Sequence, residues 1–215
     1  MNIGIIGSGS VGKTLAKGFA EKGYGVILGT RDPQNPRLRA WHETVPDNVS
    51  VGSYADAAYL GEVIIVATPW ADGATENALR LAEPRHMQGK VILDATNPLK
   101  YENGALSLAV GWSDSGGEMV QRWLPDARVV KVFNIVGANT MTAPQLEQGT
   151  ADMFIAGDDA EAKATVTKLL HEFGWGVVDA GDLSKARLLE PLALLWIDYA
   201  RANQSRTHAF KLLKK

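Results

Sequence analysis

The stretch Gly7-Ser8-Gly9-Ser10-Val11-Gly12-Lys13-Thr14 follows an apolar run at residues 3–6 and overlaps a helical pattern at residues 11–22. Its spacing fits the dinucleotide-binding pattern G-x-G-x-x-G and also the P-loop pattern G-x-x-x-x-G-K-T of nucleotide triphosphatases. Both patterns place backbone N–H groups and a helix N-terminus against phosphate oxygens. The stretch therefore predicts a phosphate-binding turn between a strand and a helix.

The surroundings of this turn favour a dinucleotide. In that interpretation Gly7 allows the tight turn, Gly9 lets the pyrophosphate approach the backbone, and Gly12 lets the helix pack on the strand. A second apolar run, at residues 24–28, follows the helix at once. This compact strand-helix-strand order is the context that a dinucleotide site requires.

The P-loop interpretation gives the same residues other roles. Lys13 would then bind the terminal phosphates and Thr14 would bind Mg²⁺, with Asp94 completing the metal site after an apolar run. The protein would be a nucleotide kinase or NTPase. This alternative stays open at the level of motif matching, and so does a non-catalytic NADP(H)-binding redox sensor.

Thr30 and Arg31 follow the second predicted strand and suggest which dinucleotide is bound. An NAD site usually offers a carboxylate to the ribose 2′-hydroxyl, whereas an NADP site offers an arginine to the 2′-phosphate. Asp32 would repel that phosphate if its side chain pointed inward. However, Asp32-Pro33 is typical of a turn in which the carboxylate bonds its own backbone. We therefore expect NADP.

Short apolar runs alternate with amphipathic stretches along most of the chain. The runs are apolar throughout, which is typical of strands covered on both faces in a parallel sheet. The expected fold is α/β: a Rossmann-type, doubly wound, mainly parallel sheet with a small helical C-terminal segment. The NADP-binding domain is predicted over residues 1–180 and the helical segment over residues 181–215. Further strands are expected at residues 63–67, 91–93, 129–133, 154–156 and 177–178.

Three local features outside the sheet carry further predictions. Pro191 is expected to break the C-terminal helix or to start a second one. Ser115 and Glu118 fit a capping box at the start of another helix. The apolar residues of the C-terminal segment exceed what one small tail can easily hide. Two interpretations of that surface stay open: it packs on the sheet of its own chain, or it forms a homodimer interface.

Composition excludes several classes of protein. The 215 residues are 46% hydrophobic, and 22 basic against 24 acidic residues give 22 − 24 = −2, so neither sign dominates as nucleic-acid binding requires. There is no cysteine, and the four histidines show no metal-ligand spacing, so no metal site is predicted. No apolar stretch approaches the roughly 20 residues of a membrane span, and the N-terminus lacks signal-peptide features. A cytoplasmic protein acting on a small molecule is expected.

Several motifs together resemble one known family. Besides residues 7–12 and 29–31, they are Thr68-Pro69-Trp70, Lys131-Val132-Phe133-Asn134, and residues 179–183 with 186–190. They resemble the NADPH-dependent deazaflavin (coenzyme F-420) reductases. The wider family also resembles the reductase domains of STEAP metalloreductases and, more distantly, pyrroline-5-carboxylate reductases. The resemblance covers essentially the whole chain and implies hydride exchange between NADPH and a deazaflavin or flavin-like acceptor, such as F-420, FMN or FAD.

The resemblance also implies roles for individual residues. The pyrophosphate would lie against Ser8, Gly9, Ser10 and Val11, and the 2′-phosphate against Thr30 and Arg31. The nicotinamide side would be formed by Thr68, Pro69, Trp70, Asn97 and Ala138.

Asn134 would position the acceptor. Deazaflavin enzymes carry a histidine at this position, whereas the STEAP-like branch carries asparagine, so the acceptor stays open. Two aromatic residues could add to the site: Trp70 and Trp112 as a platform for a planar ring, with residues 104–117 as a lid. Ordinary apolar packing is the alternative for both tryptophans.

Overall fold

The computed structural model describes residues 1–102 and 104–215. Its central sheet has eight strands in the order β3-β2-β1-β4-β5-β8-β11-β12, and β6 with β7 and β9 with β10 form two small hairpins. The strands are β1 (Asn2–Ile6), β2 (Gly25–Thr30), β3 (Val49–Ser53), β4 (Val63–Val66), β5 (Val91–Asp94), β6 (Leu99–Glu102), β7 (Ala105–Leu108), β8 (Arg128–Lys131), β9 (Gln145–Leu146), β10 (Gly149–Thr150), β11 (Asp152–Gly157) and β12 (Gly176–Asp179).

Six of these strands, from β3 to β8 across the sheet, pair in parallel. Their spatial order is the 3-2-1-4-5-6 order of a Rossmann fold. The predicted Rossmann-type, mainly parallel sheet is therefore confirmed. The exception is β11, which runs antiparallel to β8. Between these two strands the chain forms only a short helix and the β9-β10 hairpin, and no long helix carries it across the sheet to return in parallel.

Helices cover both faces of the sheet. They are α1 (Ser10–Glu21), α2 (Pro36–His42), α3 (Tyr54–Leu60), α4 (Ala74–Leu81), α5 (Gly116–Trp123), α6 (Ala138–Met141), α7 (Ala160–Phe173) and α8 (Ala186–Ala202). Successive strand residues point to opposite faces. Thus Ile5 packs with Leu15 of α1, whereas Ile6 packs with Leu79 of α4. Within the described ranges, no helix is both long and apolar enough to cross a membrane.

The C-terminal segment differs from its prediction in two ways. Pro191 lies inside α8, which continues unbroken to Ala202. The proline removes one backbone hydrogen bond, and burial of Leu189 and Ala193 on either side offsets that loss. The prediction that the segment is helical to its end is also wrong, because residues 203–215 form neither helix nor strand. Gln204 adopts a left-handed φ of 49°, which ends the helical path.

Other predictions for the second half are partly right. Helix α5 begins after Ser115, whose hydroxyl accepts the Glu118 N–H as expected, but the Glu118 carboxylate binds the Ser115 hydroxyl and Arg187 instead of closing a capping box. The predicted loop over residues 104–117 contains β7, which pairs with β6. The division into a domain at 1–180 and a segment at 181–215 stays a prediction.

Candidate functional site

The glycine turn after β1 is compact because it leaves no room for side chains at two positions. Gly7 has a φ of 126°, and a Cβ there would lie 2.4 Å from the carbonyl oxygen of Ala67. A Cβ on Gly12 would lie 1.8 Å from the Gly7 carbonyl oxygen. Only glycine fits either place, so the backbones of β1, β4 and α1 meet closely at this turn.

The N-terminus of α1 is open to a ligand. Gly9 is the N-cap, no side chain caps the helix, and Lys13 N–H makes a bond to the Gly9 carbonyl. The N–H groups of Ser10 and Val11 therefore have no partner within the helix. A Cβ on Gly9 would meet nothing within 4 Å, so a phosphate can approach these N–H groups without obstruction. The cradle fits the pyrophosphate of a dinucleotide.

This turn lies where the strand order reverses. β1 pairs with β2 on one side and with β4 on the other, which makes the crevice at their carboxyl ends the expected ligand site. A cavity of about 490 Å³ opens there. We call it the strand-end cavity. Its lining brings together the residues predicted for the pyrophosphate and for the nicotinamide, namely Gly9, Ser10, Val11, Thr68, Pro69, Trp70 and Asn97.

Ala138 lies elsewhere. It lines a second cavity, of about 820 Å³, between α1, residues 136–139 and the C-terminal end of α8. We call this the α8 cavity. Ser10 and Val11 line both cavities, so the two meet at the N-terminus of α1. Both volumes lie within the roughly 300–1,000 Å³ of small-molecule sites.

Thr30 and Arg31 stand beside the turn at the end of β2. The Ser8 hydroxyl donates to the Thr30 hydroxyl oxygen over 3.0 Å. The Asp32 carboxylate accepts the Gln34 N–H over 3.0 Å, which confirms the predicted turn and directs that charge to its own backbone. Arg31 is exposed. Burial raises the pKa of Tyr54, and the positive charge of Arg31 partly offsets this.

The residues required by the P-loop interpretation are engaged in other contacts. The Lys13 ammonium lies 5.4 Å from the centre of the Trp41 ring, a cation–π distance. Asp94 is fully buried and pairs with Lys131 over 2.8 Å. Neither side chain is arranged to hold a triphosphate or its magnesium ion.

Asn134 does not line either cavity. It is buried, and its amide nitrogen donates to the Asn97 side-chain oxygen over 3.2 Å and to the Leu189 carbonyl over 2.9 Å. Asn97 in turn donates to the Asn134 backbone carbonyl over 2.8 Å. The preceding residue, Phe133, is buried with a left-handed φ of 61°, a strained backbone that turns Asn134 toward Asn97. Asn134 is therefore connected to the strand-end cavity through Asn97, which does line it.

Trp70 and Trp112 do not form the expected platform. Trp70 stacks on Trp123 of α5, with ring centres 5.6 Å apart, while still lining the strand-end cavity. Trp112 is 93% exposed and has no aromatic partner among the described residues. Apolar packing thus accounts for one side of Trp70, and the two tryptophans are separate features.

A buried charged cluster behind the site was missed by motif reasoning. Lys131 is completely buried, and its ammonium lies 2.8 Å from Asp94, from Glu190 and from the carbonyl oxygen of Thr96. Burial lowers the pKa of Lys131, but the two carboxylates outweigh it and raise the pKa above its ordinary value. The available signal was a lysine in the otherwise apolar run at residues 129–133, since an unpaired charge is rarely buried.

Glu190 extends this cluster to α5. Its carboxylate accepts the backbone N–H groups of Gly116 and Gly117 over 2.9 and 3.0 Å. Those N–H groups form the positive end of the helix dipole, which stabilises the second carboxylate. The cluster therefore joins β5, β8, α5 and α8 directly behind the strand-end cavity.

Comparisons with known proteins agree with this geometry. The family model described as "NADP oxidoreductase coenzyme F420-dependent" matches residues 2–98. A structure from Arthrobacter sp. FB24, provisionally described as an F420-dependent NADP reductase, is 35% identical over the whole of both chains with a TM-score of 0.93. The F420-dependent NADP reductase of Methanothermobacter thermautotrophicus is 28% identical over 99% of this chain and 94% of its own.

Metalloreductase STEAP3 of Rattus norvegicus is 30% identical over 90% of this chain but only 37% of its own length. The chain thus spans little more than a third of that relative. An imine reductase from Myxococcus stipitatus in complex with NADP⁺ is 17% identical, with a TM-score of 0.66 over 95% of this chain and 63% of its own, a likeness of fold alone.

Proposed function

Since the chain belongs to the F420-dependent NADP oxidoreductase family, we propose that it transfers hydride between NADP(H) and a deazaflavin or flavin-like acceptor. NADPH, when bound, supplies hydride to the acceptor ring, and the ring takes up one proton, so that the products are NADP⁺ and the reduced acceptor. The residues of this chain bind and orient the two molecules. The observation that carries the proposal is the composition of the two adjoining cavities.

No acid suited to proton transfer lines either cavity in the described part of the chain. The linings contain no Asp, Glu, His, Lys or Tyr, and the only charged residues there are Arg201 and Arg206. Reduction of a carbonyl or imine develops a basic atom that calls for a positioned proton donor. A flavin or deazaflavin delocalises the incoming charge over its ring and can take its proton from water. The cavities therefore favour a flavin-like acceptor.

The coenzyme would lie along the edge of the sheet. Its 2′-phosphate would bind Thr30 and Arg31, and its pyrophosphate the N–H groups at the start of α1. Its nicotinamide would enter the strand-end cavity beside Thr68, Trp70 and Asn97. The Thr68 hydroxyl donates to Thr75 over 3.0 Å, which fixes the turn that would contact the ring. Asn134 would hold Asn97 in place from behind.

A paired experiment tests the proposal. NADPH oxidation is followed without oxygen against F-420, FMN, FAD and a ferric chelate, and we expect turnover with at least one of the three ring acceptors. Arg31→Ala should lower kcat/KM for NADPH by roughly 10- to 100-fold, the scale of a lost charge-assisted hydrogen bond, and leave NADH unchanged. Arg80→Ala, at an exposed site on α4, is the control. Equal losses with NADPH and NADH would contradict the 2′-phosphate assignment.

The same panel separates the proposal from the alternatives. Saturable NADPH binding with no turnover against any acceptor would favour a redox sensor. ATP binding that Lys13→Ala abolishes would favour a P-loop enzyme.

We further propose that the protein forms a homodimer through the outer face of α8. The inner face packs on the chain itself through Leu189, Ala193 and Trp196. On the outer face Leu188, Leu195 and Tyr199 remain 67%, 59% and 54% exposed. A contiguous apolar strip of this kind usually has a partner. Sedimentation equilibrium tests this, because a mass of 23.1 kDa would show a monomer and contradict the proposal.

A further inference from the structure

The α8 cavity contains two arginines that the coenzyme assignments leave unused. Arg201 lies near the end of α8 and Arg206 lies in the segment that follows it, and both line the cavity. In the described part of the chain neither guanidinium has a carboxylate within ion-pair distance. The cavity lining also contains no acidic residue. The cavity is thus a positively charged compartment without a counter-charge of its own.

The side chain of Arg201 and the backbone that carries Arg206 are both held by their surroundings. The Arg201 guanidinium lies 5.2 Å from the centre of the Tyr101 ring in β6, a cation–π contact. Arg206 lies in a segment that folds back on α8: the Ser205 N–H donates to the Ala200 carbonyl over 3.1 Å, and the Trp196 indole N–H donates to the His208 carbonyl over 2.8 Å. Positioned guanidiniums lose less freedom when they bind an anion.

The cavity also adjoins the strand-end cavity, where the nicotinamide would lie. It meets the strand-end cavity at Ser10 and Val11, so a ring stacked on a nicotinamide there can extend directly into it. Arg201, Arg206, Asn139 and Gln204 are the lining side chains that can donate hydrogen bonds at the end of α8. A phosphate monoester, with a charge near −1.5 to −2 at neutral pH, matches two guanidiniums in charge, and the planar fork of each guanidinium suits phosphate oxygens.

We infer that Arg201 and Arg206 bind a phosphate group carried by the hydride acceptor. The acceptor is then a phosphorylated flavin-like molecule, and the bare ring is a poor substrate. This inference rests on the proposed function, since it assigns the α8 cavity to the acceptor. The two cavities then recognise different molecules. The strand ends hold the nicotinamide, and the end of α8 selects the acceptor by its charge.

The test uses FMN and riboflavin, which share a ring and differ by one phosphate. Their affinities are measured by flavin fluorescence titration of the full chain saturated with NADP⁺. We expect FMN to bind at least about tenfold more tightly than riboflavin. Arg201→Gln and Arg206→Gln should each weaken FMN about tenfold, the scale of a hydrogen bond to a charged group. Neither should change riboflavin. Arg80→Gln, outside both cavities, should change neither ligand.

Three outcomes would overturn the inference: equal affinity for FMN and riboflavin, equal weakening of both ligands in the variants, or a parallel loss of NADPH affinity, which would assign the arginines to the coenzyme. The result is separable from the proposed function. Phosphate-dependent FMN binding without turnover of F-420, FMN or FAD supports the phosphate site and contradicts the proposed function. Turnover of FMN and riboflavin with equal kcat/KM supports the proposed function and contradicts the inference.

Discussion

The side of the site proposed for the coenzyme and the side proposed for the acceptor are built by different means. On the coenzyme side, six consecutive residues form a turn whose shape is fixed by backbone contacts, including the 1.8 Å approach that a Cβ on Gly12 would make. The acceptor side is assembled from residues 136–139, α8 and the segment after it. These parts are far apart in sequence, and the buried charged cluster around Lys131 joins one of them, α8, to β5, β8 and α5.

The difference shows which substitutions each side tolerates. The stability of a backbone-built turn is sensitive to a Cβ added where backbone atoms approach closely, as at Gly7 and Gly12. A charge-built junction is sensitive to the loss of a single charge, because its remaining partners stay buried and uncompensated. Lys131 is the centre of that junction: it contacts Asp94 on β5 and Glu190 on α8, and Glu190 contacts the start of α5.

Lys131→Met is expected to have the largest effect. The side chain is about the same size, but its loss leaves Asp94 and Glu190 buried without a counter-charge. The free energy of unfolding should fall by about 3–5 kcal/mol, as measured by urea denaturation. Because the pKa of Lys131 is raised, its contribution is complete below pH about 10.4 and is lost only as pH rises through the folded-state value. The loss should therefore be constant across the neutral range.

Lys168→Met provides the matched control for Lys131→Met. Lys168 is an exposed lysine on α7, and its replacement should leave stability nearly unchanged. A loss below about 1 kcal/mol in Lys131→Met, within the range of ordinary surface changes, would show that the charged cluster does not hold the junction together. The distinction between a side built by backbone contacts and a side built by buried charges would then be wrong.

The same contrast explains how much of the fold the sequence predicts. The parallel strands can be predicted because each is an apolar run covered on both faces, and the helical pattern at residues 11–22 corresponds to α1 at Ser10–Glu21. Strand β3 lies at the edge of the sheet and has the sequence Val-Ser-Val-Gly-Ser. Because of its polar residues, it was not predicted as an apolar run. Helix α8 continues through Pro191 because of packing around the proline. Local helix propensity cannot predict that packing.

The site divides in the same way. Gly7, Gly9 and Gly12 can be identified because their conformational roles depend on neighbours in sequence. Ala138 was placed with the nicotinamide residues, yet it lines the other cavity, since only the tertiary fold brings residues 136–139 against α8. Lys131 and Glu190 were visible as motif residues, but 59 positions separate them (190 − 131 = 59). Nothing local indicates that they form an ion pair.

A pair of glycine variants gives the next largest effect and isolates the coenzyme side. Gly12→Ala forces backbone atoms apart and should cost about 1–3 kcal/mol, as overpacking does, together with NADPH binding. Gly9→Ala meets no atom within 4 Å and should leave stability nearly unchanged, while its methyl group obstructs the phosphate. Calorimetric melting and NADPH fluorescence titration measure the two effects separately.

Gly111→Ala is the control for the glycine pair. Its Cβ would have only one neighbour, at 3.8 Å, and it lies outside both cavities. Unchanged NADPH affinity in Gly9→Ala would mean that the turn does not approach the pyrophosphate. The glycine turn after β1 would then have no assigned ligand.

The smallest expected effect comes from the exposed counterpart of the buried cluster. Glu118 on α5 pairs with Arg187 on α8, so it joins the same two helices as Glu190 but nearer to water. Hydrogen bonding from Arg187, which outweighs partial burial, holds the pKa of Glu118 below its ordinary value. A lowered pKa gives stability that is present above the unfolded-state value near pH 4.3 and is lost as pH falls through the folded-state value.

Glu118→Gln should therefore narrow the difference in stability between pH 7 and pH 3 relative to the parent chain, as measured by urea midpoints. The change should be smaller than either effect above, since water screens a pair at the surface. In an Arg187→Gln background the same substitution should have a smaller pH-dependent effect, because the arginine partner is gone and the bond from the Ser115 hydroxyl remains. If instead Glu118→Gln matched the loss in Lys131→Met, burial would not be what makes the central cluster strong. The acceptor side would then be held by many equivalent contacts rather than by one.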